Sequence, residues 1–142
     1  MASASIHLCD AAQVYDGKLS MLGAGWTLTG PGPATFALGI IVELEPSDIH
    51  REHRFTLALR DADGHPVDDP NGNAINIEGI LPPVVLGPEH PDHAMVMAPL
   101  ALNFGGLPLA PGSRFQWVLT LDNAQIFVRD FGTRPFPLQA AG

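Results

Sequence analysis

Residues 6–28 read IHLCDAAQVYDGKLSMLGAGWTL, two extended runs on either side of Asp16-Gly17. Asp-Gly between strand-like runs is a strong hairpin signal, because both central residues of a type I′ turn need positive φ. The turn sets Tyr15 opposite Lys18 and Val14 opposite Leu19. Carried back, the register predicts Asp10 opposite Gly23, Leu8 opposite Gly25 and His7 opposite Trp26. One face then holds Ile6, Leu8, Asp10, Ala12, Val14, Leu19 and Met21; the other holds His7, Cys9, Ala11, Leu22, Ala24, Trp26 and Leu28. Neither face is polar, and a strand pair apolar on both sides is normally covered on both sides. The hairpin therefore belongs inside a two-layer sheet structure or against another chain.

The rest of the chain repeats the period of a strand. Phe36, Leu38, Ile40, Val42 and Leu44 alternate over residues 35–45, and Phe55, Leu57 and Leu59 over residues 54–62. Val96, Ala98, Leu100, Leu102 and Phe104 share a face over residues 95–104, where Pro99 marks an edge or a bulge. A last hairpin over residues 114–131 turns at Asp122-Asn123, with Leu121 opposite Ala124, Leu119 opposite Ile126 and Trp117 opposite Val128. The 15 glycines and 14 prolines fall between these runs, as turn formers do in all-β chains. The expectation is a single all-β domain over residues 1–142. It is an antiparallel β-sandwich of about eight strands, immunoglobulin-like or jelly-roll-like. Residues 68–93 form a long irregular loop and residues 132–142 an extended C-terminal arm.

Length and charge narrow the function. One domain of 142 residues can bury a real core. Apolar residues make up 46% and charged residues 15%, which leaves little polar material for the surface and points to an assembled protein. Seven Lys and Arg against 15 Asp and Glu give −8, the wrong sign for a nucleic-acid partner or an anionic membrane surface. The start lacks a basic segment followed by a long apolar one, and no run approaches a membrane span, so synthesis in the cytoplasm is expected. Cys9 stands alone, so it reads as a small buried hydrophobe.

The candidate chemistry is thin. His50/His53 and His90/His93 are two His-x-x-His pairs that adjacent loops could gather around Zn²⁺. Pro91 keeps the second pair off one helical face, and polar residues collected in exposed loops are the preferred reading. The loops at residues 61–64 and 69–73 lack the Gly and Glu positions of a Ca²⁺ loop and read as turns. No serine sits in a nucleophile elbow. Asp10, on an apolar row, reads as a buried carboxylate held by backbone N–H groups near Gly23. Trp26 and Trp117 suggest a sugar-stacking platform, but indoles in a sandwich are more often core. No catalytic residue, metal or cofactor is expected.

Residues 6–14, the turn, residues 22–26, Val42-Glu43-Leu44 and residues 54–64 resemble an uncharacterised family of small proteins from actinobacteria and their bacteriophages. The resemblance implies a β-sandwich and, in a phage setting, a virion or accessory role. The expectation is a non-enzymatic structural or interaction module, in its sharpest form a multicopy phage virion component such as a capsid decoration protein. Its partners would be copies of itself, as a homo-oligomer, or virion proteins. A small-ligand or carbohydrate-binding module is the alternative. Trp26, Phe136 and Leu138 are the expected interaction residues, with the proline-spaced arm docking on an apolar groove.

Overall fold

The computed structural model describes residues 2–91 and 94–136. Among these, ten strands follow in order: β1 (Ser3–Cys9), β2 (Ala11–Tyr15), β3 (Lys18–Leu22), β4 (Leu28–Thr29), β5 (Ala34–Leu44), β6 (His53–Asp61), β7 (Asn76–Leu81), β8 (Val96–Leu107), β9 (Arg114–Leu121) and β10 (Ala124–Thr133). One 3-10 turn over Pro46–Asp48 joins β5 to β6. A three-stranded sheet, β1-β5-β8, packs on a five-stranded sheet, β4-β10-β9-β6-β7, and β2-β3 forms a small third sheet. All pairings are antiparallel except β4 with β10. The all-β, sandwich-like expectation holds, with ten strands instead of about eight.

The alternating rows make the core. Phe36, Leu38, Ile40, Val42 and Leu44 of β5 face Phe55, Leu57 and Leu59 of β6 and Phe115, Trp117, Leu119 and Leu121 of β9, all nearly or fully buried. Each such side chain contributes about 1.5–3 kcal/mol on leaving water. Phe36 is the hub of an aromatic group, with ring centroids 5.5 Å from Trp26, 5.9 Å from Phe131 and 6.4 Å from Trp117.

Four expectations need correction. The front hairpin keeps its ladder from Ala11–Leu22 to Tyr15–Lys18, and two expected contacts persist before it: Gly25 N donates to Leu8 O at 3.1 Å, and the Asp10 carboxylate fills the space that a Cβ at Gly23 would take. What was not expected is the main ladder of β1, which runs along β5 from Ser3–Glu43 to Cys9–Ala37. The reason is volume: Ile6 and Leu8 become fully buried in the main core, which a flap beside Gly23 and Gly25 does not offer. Asp10 is consequently exposed.

The second correction lies in the last hairpin, where a bulge at Ile126 shifts the register by one. Leu119 pairs with Phe127 and Trp117 with Arg129. The shift turns Arg129 to the inner side, where its Nε donates to Ile6 O at 2.9 Å and its guanidinium lies 5.1 Å from the Phe127 ring centroid. One cation thus ties β10 to β1.

Third, the expected 68–93 loop contains β7, a regular edge strand paired with β6 from Leu81–His53 to Asn76–Ala58. Gly79 leaves the room that the Phe55 ring occupies. Fourth, β10 runs on to Thr133, and Arg134 N donates to Thr29 O at 2.8 Å, so the first residues of the expected arm belong to the sheet.

Candidate interaction surface

The outer face of β5 carries Ala37 and Gly39, and β8 places Ala101 beside Gly39. Small residues on a sheet face make a floor on which a second layer can lie. The β2–β3 hairpin lies there as a flap. Its underside residues Ala12, Leu19 and Met21 pack with Cys9, Ala37 and Ala101 as a second, smaller core. A Cβ at Gly39 would collide with the Met21 thioether and press on Leu19, so any larger residue must displace those side chains for the flap to lie at this depth. Asn103 holds the flap's edge, its Nδ2 donating to Ala12 O at 2.9 Å while its Oδ1 accepts from Ala12 N at 3.3 Å. The side-chain amide thus stands in for a strand residue.

Cys9 is sealed under this flap, its Sγ 3.5 Å from Ala37 O. Burial pushes its thiol above the usual range, and the neighbouring Asp10 charge adds to that. It is a packing residue, as expected.

The flap's upper face sets Ala11 against Leu22, Gln13 against Ser20 and Tyr15 against Lys18. Tyr15 is 77% exposed and Leu22 71%. A shallow hollow of about 300 Å³ lies among Ala11, Gln13, Ser20 and Leu22. On the sheet below, the outer row continues through Ile41 and Pro99 to Met97, which is 62% exposed. Sequence had assigned cover to both faces of this hairpin; the structure shows that the hairpin is itself the cover.

The expected interaction residues separate. Trp26 is half-buried, edge-on to Phe36, and its indole N–H is buried without a hydrogen-bond partner. Phe136 is 76% exposed just beyond Pro135. Leu138 lies outside the described residues, as does His93. Trp117 is wholly buried and stacked on Phe104 at 5.1 Å, so the two indoles do not make a platform.

The imidazoles separate too. His50 and His90 line one cavity of about 490 Å³ with Pro46, Ile49, Val84 and Leu86. His53 points the other way, 2% exposed, with Nδ1 2.6 Å from Asp122 Oδ2 and Nε2 2.6 Å from Asp48 O. Arg51 Nη1 donates to the same Asp122 oxygen at 3.1 Å, and Arg54 N donates to Asp122 Oδ1 at 3.1 Å. These bonds, that from His53 first, hold the Asp122 carboxyl below the usual carboxylate range. The turn at residue 61 brings ligand atoms of Asp61, Asp63 and His65 within 4.8 Å of one another. Asp61 Oδ1 already accepts from the backbone N–H groups of Asp63 and His65, each at 2.9 Å, which is the turn-forming role read from sequence.

Sequence reading missed Asn103, Gly39 as a floor, and the His53–Asp122 pair. The first two had a faint signal, a polar residue and a glycine interrupting otherwise apolar strand rows. The third had none, because its members lie far apart in the chain.

The chain belongs to a family of unknown function, DUF6941, whose model matches residues 4–131. That span takes in the flap, both larger sheets and the His53–Asp122 pair. No curated protein matches the chain.

Proposed function

We propose that this protein is a non-enzymatic structural or interaction module that works in multiple copies through the face carrying the β2–β3 flap. The observation that carries the reading is the pair Tyr15 and Leu22, large apolar side chains standing 77% and 71% exposed on the flap's upper face. Met97 extends the apolar character onto the adjoining sheet row at 62% exposure. Tyr15 and Leu22 stand at the two ends of one face, with Gln13 and Ser20 between them, and large apolar side chains left exposed on one face suit a protein contact. The net charge of −8 supports a protein partner over nucleic acid or an anionic membrane.

In its narrower form the proposal is a phage virion component, such as a capsid decoration protein, synthesised in the cytoplasm and carried on the particle. That form draws on the resemblance of residues 6–26 and 54–64 to proteins of actinobacteria and their phages. Trp26 contributes by fixing the chain that leaves the flap, through its contact with Phe36. Phe136 offers a second exposed anchor.

Mass photometry and sedimentation of the purified chain, alone and with particles of a phage that encodes it, test the reading. Oligomers or particle-bound protein support it. A strict monomer at high concentration that binds no particle contradicts it.

A further inference from the structure

We propose that His53 is a protonation-dependent latch, joining the 46–52 connector to the β9–β10 turn and holding in place the connector that forms one wall of the cavity beside it. The inference is independent of the assembly reading. His53 occupies the first inward position of β6 and is 2% exposed. Its two ring nitrogens meet Asp122 Oδ2 and Asp48 O, both at 2.6 Å. A backbone carbonyl can only accept. The Asp122 carboxylate also only accepts, since its bonds from His53, Arg54 N and Arg51 favour the ionised form. A neutral imidazole has one N–H and one lone pair, so one of the two contacts would set lone pair against lone pair. Only the doubly protonated ring donates to both, and charge-assisted bonds are the short ones.

The surroundings suit a cation paired to one carboxylate. From the turn comes Asp122. From the connector come Arg51, 3.1 Å from Asp122, and Asp48, whose carboxylate is 4.0 Å from Arg51. From β6 comes the Arg54 amide, and from β7 the facing residue is the apolar Leu81.

The latch has something to hold. Ile49, directly after Asp48, is buried, and its carbonyl accepts from Val84 N at 2.8 Å. Pro46, Ile49 and His50 form one wall of the 490 Å³ cavity, and residues 84–88 with His90 form the other. When the ring loses a proton, one buried acceptor loses its donor, and the Asp48 end of the connector is released. When acid protonates Asp122, the other end weakens. The latch is closed between these limits.

Hydrogen exchange on the full chain, corrected for the intrinsic effect of pH, tests this together with side-chain nitrogen spectra of the imidazoles. The range runs from about pH 6 to about pH 9. In the wild type at the low end, both His53 nitrogens carry protons. Raising the pH lowers the protection of residues 47–52 and 84–86 by at least about tenfold, the scale of one charge-assisted bond, while β5 and β9 stay protected. Asp122→Asn keeps the turn, because asparagine adopts the φ of 51° found there, and its amide can donate to Nδ1 of a neutral ring while Nε2–H donates to Asp48 O, so its connector stays protected across the range without the second proton. A single N–H on folded His53 at pH 6 overturns the proposal. So does wild-type connector protection that is unchanged by pH, or protection that falls with pH as steeply in Asp122→Asn as in the wild type. If Asp122→Asn does not fold, the wild-type spectra and exchange decide alone.

Discussion

Two hairpins in this molecule share a turn and differ in everything else. The β2–β3 turn has φ of 51° and 69° at Asp16-Gly17, and the β9–β10 turn has 51° and 68° at Asp122-Asn123. Both central residues are left-handed in each, the signature of the type I′ turn. Yet β9 lies at the centre of the five-stranded sheet, while β2–β3 rides outside as a flap. The inward row of β9 is Phe115, Trp117, Leu119 and Leu121, all buried; the flap's underside is Ala12, Val14, Leu19 and Met21, and Val14 is 42% exposed. The carboxylate at the head of each turn differs as well. Asp122 is gripped by His53, Arg51 and Arg54 N, whereas Asp16 is exposed. Turn chemistry decides that two strands pair. Side-chain volume and long-range polar partners decide which layer the pair joins.

That contrast can be broken from either side. The largest effect is expected in the central hairpin. Leu119→Ala opens a cavity at a fully buried position and should cost about 2–5 kcal/mol in urea unfolding. Asp122→Ala should cost about 1–3 kcal/mol near neutral pH, since it leaves a buried His53 N–H without its acceptor. The pH dependence has a definite sign. The folded Asp122 carboxyl titrates below its unfolded value, so its contribution is complete above about pH 4 and is lost as pH falls through the folded value. Stability–pH curves should therefore show a shallower acid loss in Asp122→Ala than in the wild type.

On the flap, Gly39→Val puts methyl groups against the ends of Met21 and Leu19, which are flexible enough to give way. A cost of about 1–2 kcal/mol is expected, with faster exchange of the Ala12 amide while β9 stays protected. The smallest effect belongs to the upper face. Tyr15→Ser with Leu22→Ser alters exposed positions and should shift the urea midpoint by no more than about 0.5 kcal/mol in stability.

The same contrast explains what could be read in the sequence. The row Phe36 to Leu44 was legible because strict alternation leaves no other arrangement for five large apolar side chains. The Asp16-Gly17 turn and its five nearest pairs were legible because the turn needs positive φ. The strand partner of Ile6 and Leu8 was not, since alternation says which face a residue takes and not which strand lies beside it. The bulge at Ile126 was invisible because the contact that goes with it, Arg129 to Ile6 O, spans 123 positions. β7 was hidden among neighbouring prolines, and its anchor is the cross-strand fit of Phe55 over Gly79. Of the two large side chains that sequence offers for contacts, Trp26 is half-buried against Phe36 and Phe136 is exposed. Tyr15 and Leu22 were assigned to a covered hairpin, because nothing local shows that the flap is the outermost layer.

The central claim, that the flap's upper face joins this protein to its partners, is tested most directly by particle size. Mass photometry should compare the wild type with the Tyr15→Ser, Leu22→Ser double variant, alone and with phage particles. The account predicts an oligomer or a particle-bound wild type, and a double variant that stays folded but is monomeric and unbound. A wild type that is monomeric and binds no particle, or a folded double variant that assembles and binds as the wild type does, contradicts it.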